Sequence, residues 1–154
     1  MSLLVRRIRE KGYEWSPPPE DHPDHPLRSA KRLGDAIHVS GQVPVRNGEI
    51  VKGKVGDGGL SVEEAAKAAE LCALNCLLAA GSIVPSERIW GVVSMTVYVN
   101  VAPGFTQMSL VANGASGFLI DVLDEDGKSA RAAIGVASLP ENAAVEVTMI
   151  IEVR

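Results

Sequence analysis

Residues 129–154 read SARAAIGVASLPENAAVEVTMIIEVR. Small and β-branched residues fill two runs, 130–138 and 144–153, with the turn-like LPEN between them. Both runs have the length and composition of strands. Alternate residues of a strand share a face. Val145, Val147, Met149, Ile151 and Val153 therefore make one apolar face, and Glu146 lies on the other. By the same rule Arg131 shares a face with Ala133, Gly135 and Ala137. Small neighbours leave room beside a guanidinium, a planar fork of donors that matches a carboxylate. Antiparallel pairing across LPEN would carry Arg131 and Glu146 toward one region. They would then either flank a pocket or form an ion pair that only shapes the sheet.

The rest of the chain supplies partners for these strands. Residues 36–45, AIHVSGQVPV, read as a strand, and Asn47-Gly48 after it marks a hairpin turn. LSVEEAAKAAELCALNCLLAAG, residues 60–81, is the plainest helix. Ser61 and Glu64 have capping-box spacing, Leu71, Cys72, Leu74, Leu78 and Ala68 give an apolar face, and Gly81 fits a C-terminal stop. RIWGVVSMTVYVNV, residues 88–101, is a further strand. Phe105, Met108, Val111, Phe118 and Val122 have the spacing of a second helix, in which Gly114 and Gly117 mark close packing or weaken it.

The order is strand–strand–helix–strand–helix–strand–strand. It predicts an α+β fold with two helices on one face of a single sheet. A sheet with apolar side chains on both faces, Ile150 lying opposite Val145, further predicts self-association. Ahead of this domain, LLVRRIREKG reads as a short amphipathic helix with a solvated basic face. The segment YEWSPPPEDHPDHPLRSAKRLGD, residues 13–35, reads as an irregular proline-rich arm. The domain boundaries expected are 1–25 for the helix and arm, and 26–154 for the folded domain.

Composition narrows the functions. The chain has 154 residues, 46% hydrophobic and 22% charged, enough for one domain with a real core. A net charge of −4 argues against a general nucleic-acid binder. No run approaches the ~20 apolar residues of a membrane span, and no signal peptide is visible, so a cytoplasmic protein is expected. Cys72 and Cys76 share a helix face as reduced core residues. His22 and His25 sit among prolines and read as solvent-facing, and no metal site is expected. His38 reads as a hydrogen-bonded sheet histidine, and Trp90 as packing.

Taken together, VSGQVPV, NGEIV, the alanine-rich helix ending LLAAG, VVSMTVYVN, Gly104-Phe105, Asn113 and RAAIGVASLPENAAVEVTMIIEV resemble the RidA/YjgF (endoribonuclease L-PSP) family, from about residue 26 to 154. The resemblance implies a chorismate-mutase-like fold and a homotrimer with pockets between subunits. It implies hydrolysis of reactive 2-imino and 2-enamino acids to 2-keto acids and ammonia, without metal or organic cofactor. By resemblance Arg131 binds the carboxylate of a small metabolite and Glu146 places the water, while Ser40, Gly41 and Asn113 line the pocket. Leu27 stands where active deaminases carry a tyrosine, and Ala115 and Ser116 where aromatic residues are common. That departure keeps a non-catalytic carboxylate-binding or regulatory protein as the alternative. An endoribonuclease or translation inhibitor ranks lower, because no histidine pair lies at an obvious site and the chain is acidic. Membrane association is not expected.

Overall fold

The long alanine-rich helix organises the core. In a computed structural model covering all residues, Met1–Arg154, it spans Val62–Gly81 (α2). Its start carries the expected capping box. Ser61 Oγ accepts from the Glu64 amide at 3.1 Å, and the Ser61 amide donates to Glu64 Oε1 at 3.2 Å. Small side chains bury it nearly all round, from Ala65 and Ala69 to Cys76 and Ala80. One side lies on the sheet and another on the second long helix, Met108–Leu123 (α3). A short first helix, Leu3–Glu10 (α1), buries Leu4, Val5 and Ile8 beside α3. Its cations are not simply solvated: Arg7 pairs with Asp124 at 2.7 Å, and Lys11 with Asp121 at 2.6 Å. Leu4, Ile8 and Tyr13 belong to the same hydrophobic cluster as the sheet, so the segment before residue 26 shares its core.

The main sheet contains Ala30–Leu33 (β1), Ala36–Gln42 (β2), Ile89–Asn100 (β5), Ala130–Val136 (β6) and Val145–Val153 (β7). Between β2 and α2 lies a two-residue-strand hairpin, Val45–Arg46 (β3) and Glu49–Ile50 (β4). Asn47 and Gly48 turn it with φ of 52° and 77°, the left-handed pair that the dipeptide predicts. The order across the sheet is β1-β2-β7-β5-β6. Only β5 and β6 run parallel, joined by α3, so the sheet is mixed. Helices α2 and α3 cover one face, against Val97, Val99, Val145, Val147 and Ile151, all fully buried.

Four expectations need correction. β6 and β7 do not pair across LPEN, because β5 lies between them. Residues 30–33 of the arm form β1, since Ala30 pairs with Val39 and buries beside it. Gly81 is not a left-handed stop. The helix runs through it to Ser82 in right-handed geometry, and a Cβ there would lie 2.5 Å from the Trp15 ring. His38 lies in a strand as expected, but its side chain is exposed on the uncovered sheet face and not hydrogen-bonded. No helix is long and apolar enough to cross a membrane.

Cys72 and Cys76 are buried and free. Their thiols donate to the carbonyls of Val145 at 3.6 Å and Val147 at 3.4 Å, which sets α2 on β7. Burial pushes both thiols up, and the negative charge of Glu146 adds to it. A raised folded-state pKa gives stability that is complete below the unfolded thiol value, about 8.5, and lost as pH climbs beyond it. Tyr13, raised chiefly by burial, works in the same direction. The urea midpoint is therefore expected to fall between pH 8 and pH 10, and an unchanged midpoint would contradict it.

Candidate functional site

Alternation and register decide where each site residue sits. Arg131 on β6 is level with Met95 of β5, and Met95 is level with Met149 of β7. Both methionines are 3% exposed beneath the helices. Arg131 therefore stands on the helix side of the sheet, at the edge strand. There its guanidinium turns onto α3. It donates to Asn113 Oδ1 at 2.8 Å, Ser116 Oγ at 3.1 Å and the Ser109 carbonyl at 3.5 Å. Residues 109, 113 and 116 lie four and three apart, which places them on one helix face. All three acceptors are neutral, so they orient the guanidinium without cancelling its charge. Arg131 is exposed.

Glu146 is level with Tyr98, three residues along β7 from Met149. An odd step reverses the face, so Glu146 stands on the uncovered side. Two strand spacings and three residues separate it from Arg131, roughly 14 Å between Cα atoms. An Arg131–Glu146 ion pair within one chain is ruled out by this placement. Glu146 instead lies over Gly41. A Cβ at Gly41 would meet Glu146 Oε1 at 2.4 Å and its carboxyl carbon at 2.8 Å, so only glycine leaves the carboxylate where it is. Ser40, next to it, donates its hydroxyl to the Arg28 carbonyl at 2.6 Å, fastening β2 to the chain ahead of β1.

The five residues expected to form one site thus fall into two groups. Arg131 and Asn113 stand together at the β6 edge, joined by Ser116, whose sequence signal is only a departure from an aromatic. Ser40, Gly41 and Glu146 stand together on the open face. There a groove of about 580 Å³ runs along His25, Pro26, Leu27, Arg28, Lys31, His38, Val39 and Ser40. Leu27 is 50% exposed in it and offers no hydroxyl. A second hollow continues from His38 to Ser94, Thr96 and Thr148. Chemically, one group is a cationic fork for a carboxylate. The other places a carboxylate beside a polar groove, where it can orient water.

A mixed sheet of this order under two long helices, with its polar groups divided between an edge and an open face, defines a chorismate-mutase-like α+β protein. The family model for Endoribonuclease L-PSP matches residues 20–153, and the chain belongs to that family, the RidA/YjgF family. Protein TCP17 of Trypanosoma cruzi is 42% identical over 127 residues, 79% of this chain and 77% of that protein. The crystal structure of Atu1372 from Agrobacterium tumefaciens is 36% identical, with a TM-score of 0.88 over 99% of this chain and 94% of that one. The YjgF gene product of E. coli shares the fold at 22% identity, with a TM-score of 0.60 over 85% of this chain and 91% of that one. The Agrobacterium match takes in nearly the whole chain, and so includes α1.

Proposed function

We propose that the protein hydrolyses 2-imino acids, and their 2-enamino tautomers, to 2-keto acids and ammonia. The observation that carries this reading is the Arg131 guanidinium, fixed by Asn113 and Ser116 with no acid to neutralise it. In the reaction Arg131 grips the substrate carboxylate, bringing C2 to a set place. Glu146 orients a water and takes its proton as the oxygen adds to C2. The C=N double bond becomes the C–N single bond of a carbinolamine, and the nitrogen is protonated. That C–N bond then breaks, ammonia leaves, and the former water oxygen remains as the keto oxygen. The balance needs water alone.

Because the two half-sites face opposite sides of one chain, the reading requires Arg131 of one copy to meet Glu146 of another. We assign this to a homotrimer, in which a fork at the sheet edge of one copy reaches the open face of its neighbour. The direct test is release of ammonia and 2-ketobutyrate from freshly generated 2-iminobutyrate. A rate equal to the uncatalysed one would refute the reading. Leu27 in the groove, where a hydroxyl would donate to substrate, favours one alternative. That is a pocket that binds small carboxylates without turning them over, with a ligand-induced thermal shift and no turnover.

Gly41→Ala checks the role of Glu146 without touching it. The intruding methyl meets the far end of a flexible side chain, so unfolding free energy should change by less than about 1 kcal/mol. The carboxylate, however, must swing away, and turnover should fall at least tenfold, as expected when an oriented general base is misplaced. Full activity in Gly41→Ala would remove Glu146 from the reaction.

A further inference from the structure

The groove on the open face is basic. Of its eight lining residues four are His25, Arg28, Lys31 and His38, and none is acidic, in a chain whose net charge is −4. Sheet geometry puts two of these together. Lys31 on β1 is directly opposite His38 on β2, and both are exposed on the uncovered face. Cross-strand partners stand about 5 Å apart at Cβ. Arg28 is bound to the same place through its backbone, since its carbonyl receives the Ser40 hydroxyl. Its guanidinium reaches only the His22 carbonyl, at 3.5 Å. The nearby acid of the arm, Asp21, accepts from the Ser29 amide at 2.6 Å and the Ser29 hydroxyl at 2.8 Å, and its charge also faces His25 and Arg28, which leaves Lys31 as the groove's unanswered cation. Ser40 adjoins Gly41 and the Glu146 carboxylate lying on it. The Lys31–His38 pair stands next along the same face, His38 being two residues from Ser40 on β2.

We infer that this groove reads a second acidic group, so that the protein's substrates are dicarboxylic 2-imino acids of the iminosuccinate and iminoglutarate type. The inference rests on the hydrolytic reading above and names the substrate class of that site. With the α-carboxylate on Arg131 of the neighbouring copy and C2 beside Glu146, the substrate side chain runs past Ser40 into the groove. A neutral side chain would leave Lys31 without a counter-charge in the groove. A carboxylate of two or three carbons' reach pairs with it. Two cationic stations flanking one general base fit a dianion better than a monoanion.

The test compares kcat/KM for 2-iminoglutarate and 2-iminobutyrate, both generated freshly, in wild type, Lys31→Ala and Lys31→Gln, with folding checked by circular dichroism. Thermal shifts with 2-oxoglutarate and 2-ketobutyrate are measured on the same proteins. The expected wild-type preference for the dicarboxylic imine is tenfold or more, and both variants should reduce the ratio about tenfold. Equal kcat/KM for the two imines in wild type, or a ratio unmoved by both variants, overturns the inference while leaving the hydrolytic reading intact. If neither imine is turned over, that reading fails, and the thermal shifts decide the groove separately. Stabilisation by 2-oxoglutarate alone, lost in Lys31→Ala, upholds a dicarboxylate site; equal or absent shifts overturn it. RNA binding that depends on Lys31, with no response to 2-oxoglutarate, also overturns it.

Discussion

Arg131→Ala should lower kcat/KM for imine hydrolysis by 10²- to 10⁴-fold and leave the fold intact. In the proposed reaction the fork would make two charge-assisted bonds to the substrate carboxylate, each contributing roughly 1.5–3 kcal/mol. Together they amount to about 3–6 kcal/mol of transition-state binding. Stability should change by no more than about 0.5 kcal/mol, because Arg131 is exposed and Asn113 and Ser116 regain water when it goes. Arg131→Lys keeps the charge but not the planar fork, so its activity should lie between the two. The same variant tests the shared pocket. Arg131→Ala and Glu146→Ala chains should each be inactive. Refolded together in equal amounts, they should regain roughly a quarter of wild-type activity, because some interfaces then combine an intact Arg131 with an intact Glu146. No recovery in the mixture would mean that the two residues do not serve one site between copies. Unchanged activity in Arg131→Ala alone would end the hydrolytic reading.

Gly114→Ala should be the most damaging small substitution in the core. A Cβ there would stand 1.9 Å from the Ala66 carbonyl oxygen and 2.5 Å from its carbon, both backbone of α2. Neither atom can rotate aside, so α2 and α3 must separate along their whole contact. Overpacking of this kind costs about 3 kcal/mol or more, against a helix-propensity gain of about 1 kcal/mol for replacing glycine. The expected net loss is at least ~2 kcal/mol, a fall in Tm of about 4–8 °C for a chain of this size. Gly117→Ala is the matched comparison. Nothing lies within 4 Å of a Cβ at Gly117, so that change should be neutral or should stabilise by up to ~1 kcal/mol. Urea unfolding of the two variants side by side checks the contrast. If Gly114→Ala matches wild type, the helices do not approach as described.

Local chemistry is legible in the amino-acid sequence. Ser61 and Glu64 cap α2 because a capping box needs only residues three apart. Asn47-Gly48 turns its hairpin because only such pairs accept two left-handed residues cheaply. The faces of β7 follow from alternation, and so does the company Arg131 keeps with Ala133 and Gly135. Non-local pairing is not legible in the same way. Short connections favour pairing of neighbours in sequence, and nothing in LPEN says that β5 will lie between the strands it joins. That one pairing separates Glu146 from Arg131, which antiparallel pairing across LPEN would have carried toward one region. β1 is hidden because the prolines ahead of it dominate the segment, while its only burial signal is Ala30 beneath Val39. Ser116 stands out in the sequence only as a departure from an aromatic, yet its spacing of three from Asn113 places it on the same helix face.

The strand at the middle of the sheet, β7, is the last of the five in chain order. β2 and β5 both bond to it and not to each other. As the chain emerges from the ribosome, β1–β2 and β5–α3–β6 therefore form two separate fragments with no shared ladder. The buried flank of α2, including Cys72 and Cys76, has no carbonyls to rest on until Val145 and Val147 arrive. Folding must wait for residues 145–153, and the nascent protein carries a bare apolar flank of α2 until then. Stop codons or frameshifts that remove only this strand would leave fragments that no chaperone can bring to the native sheet.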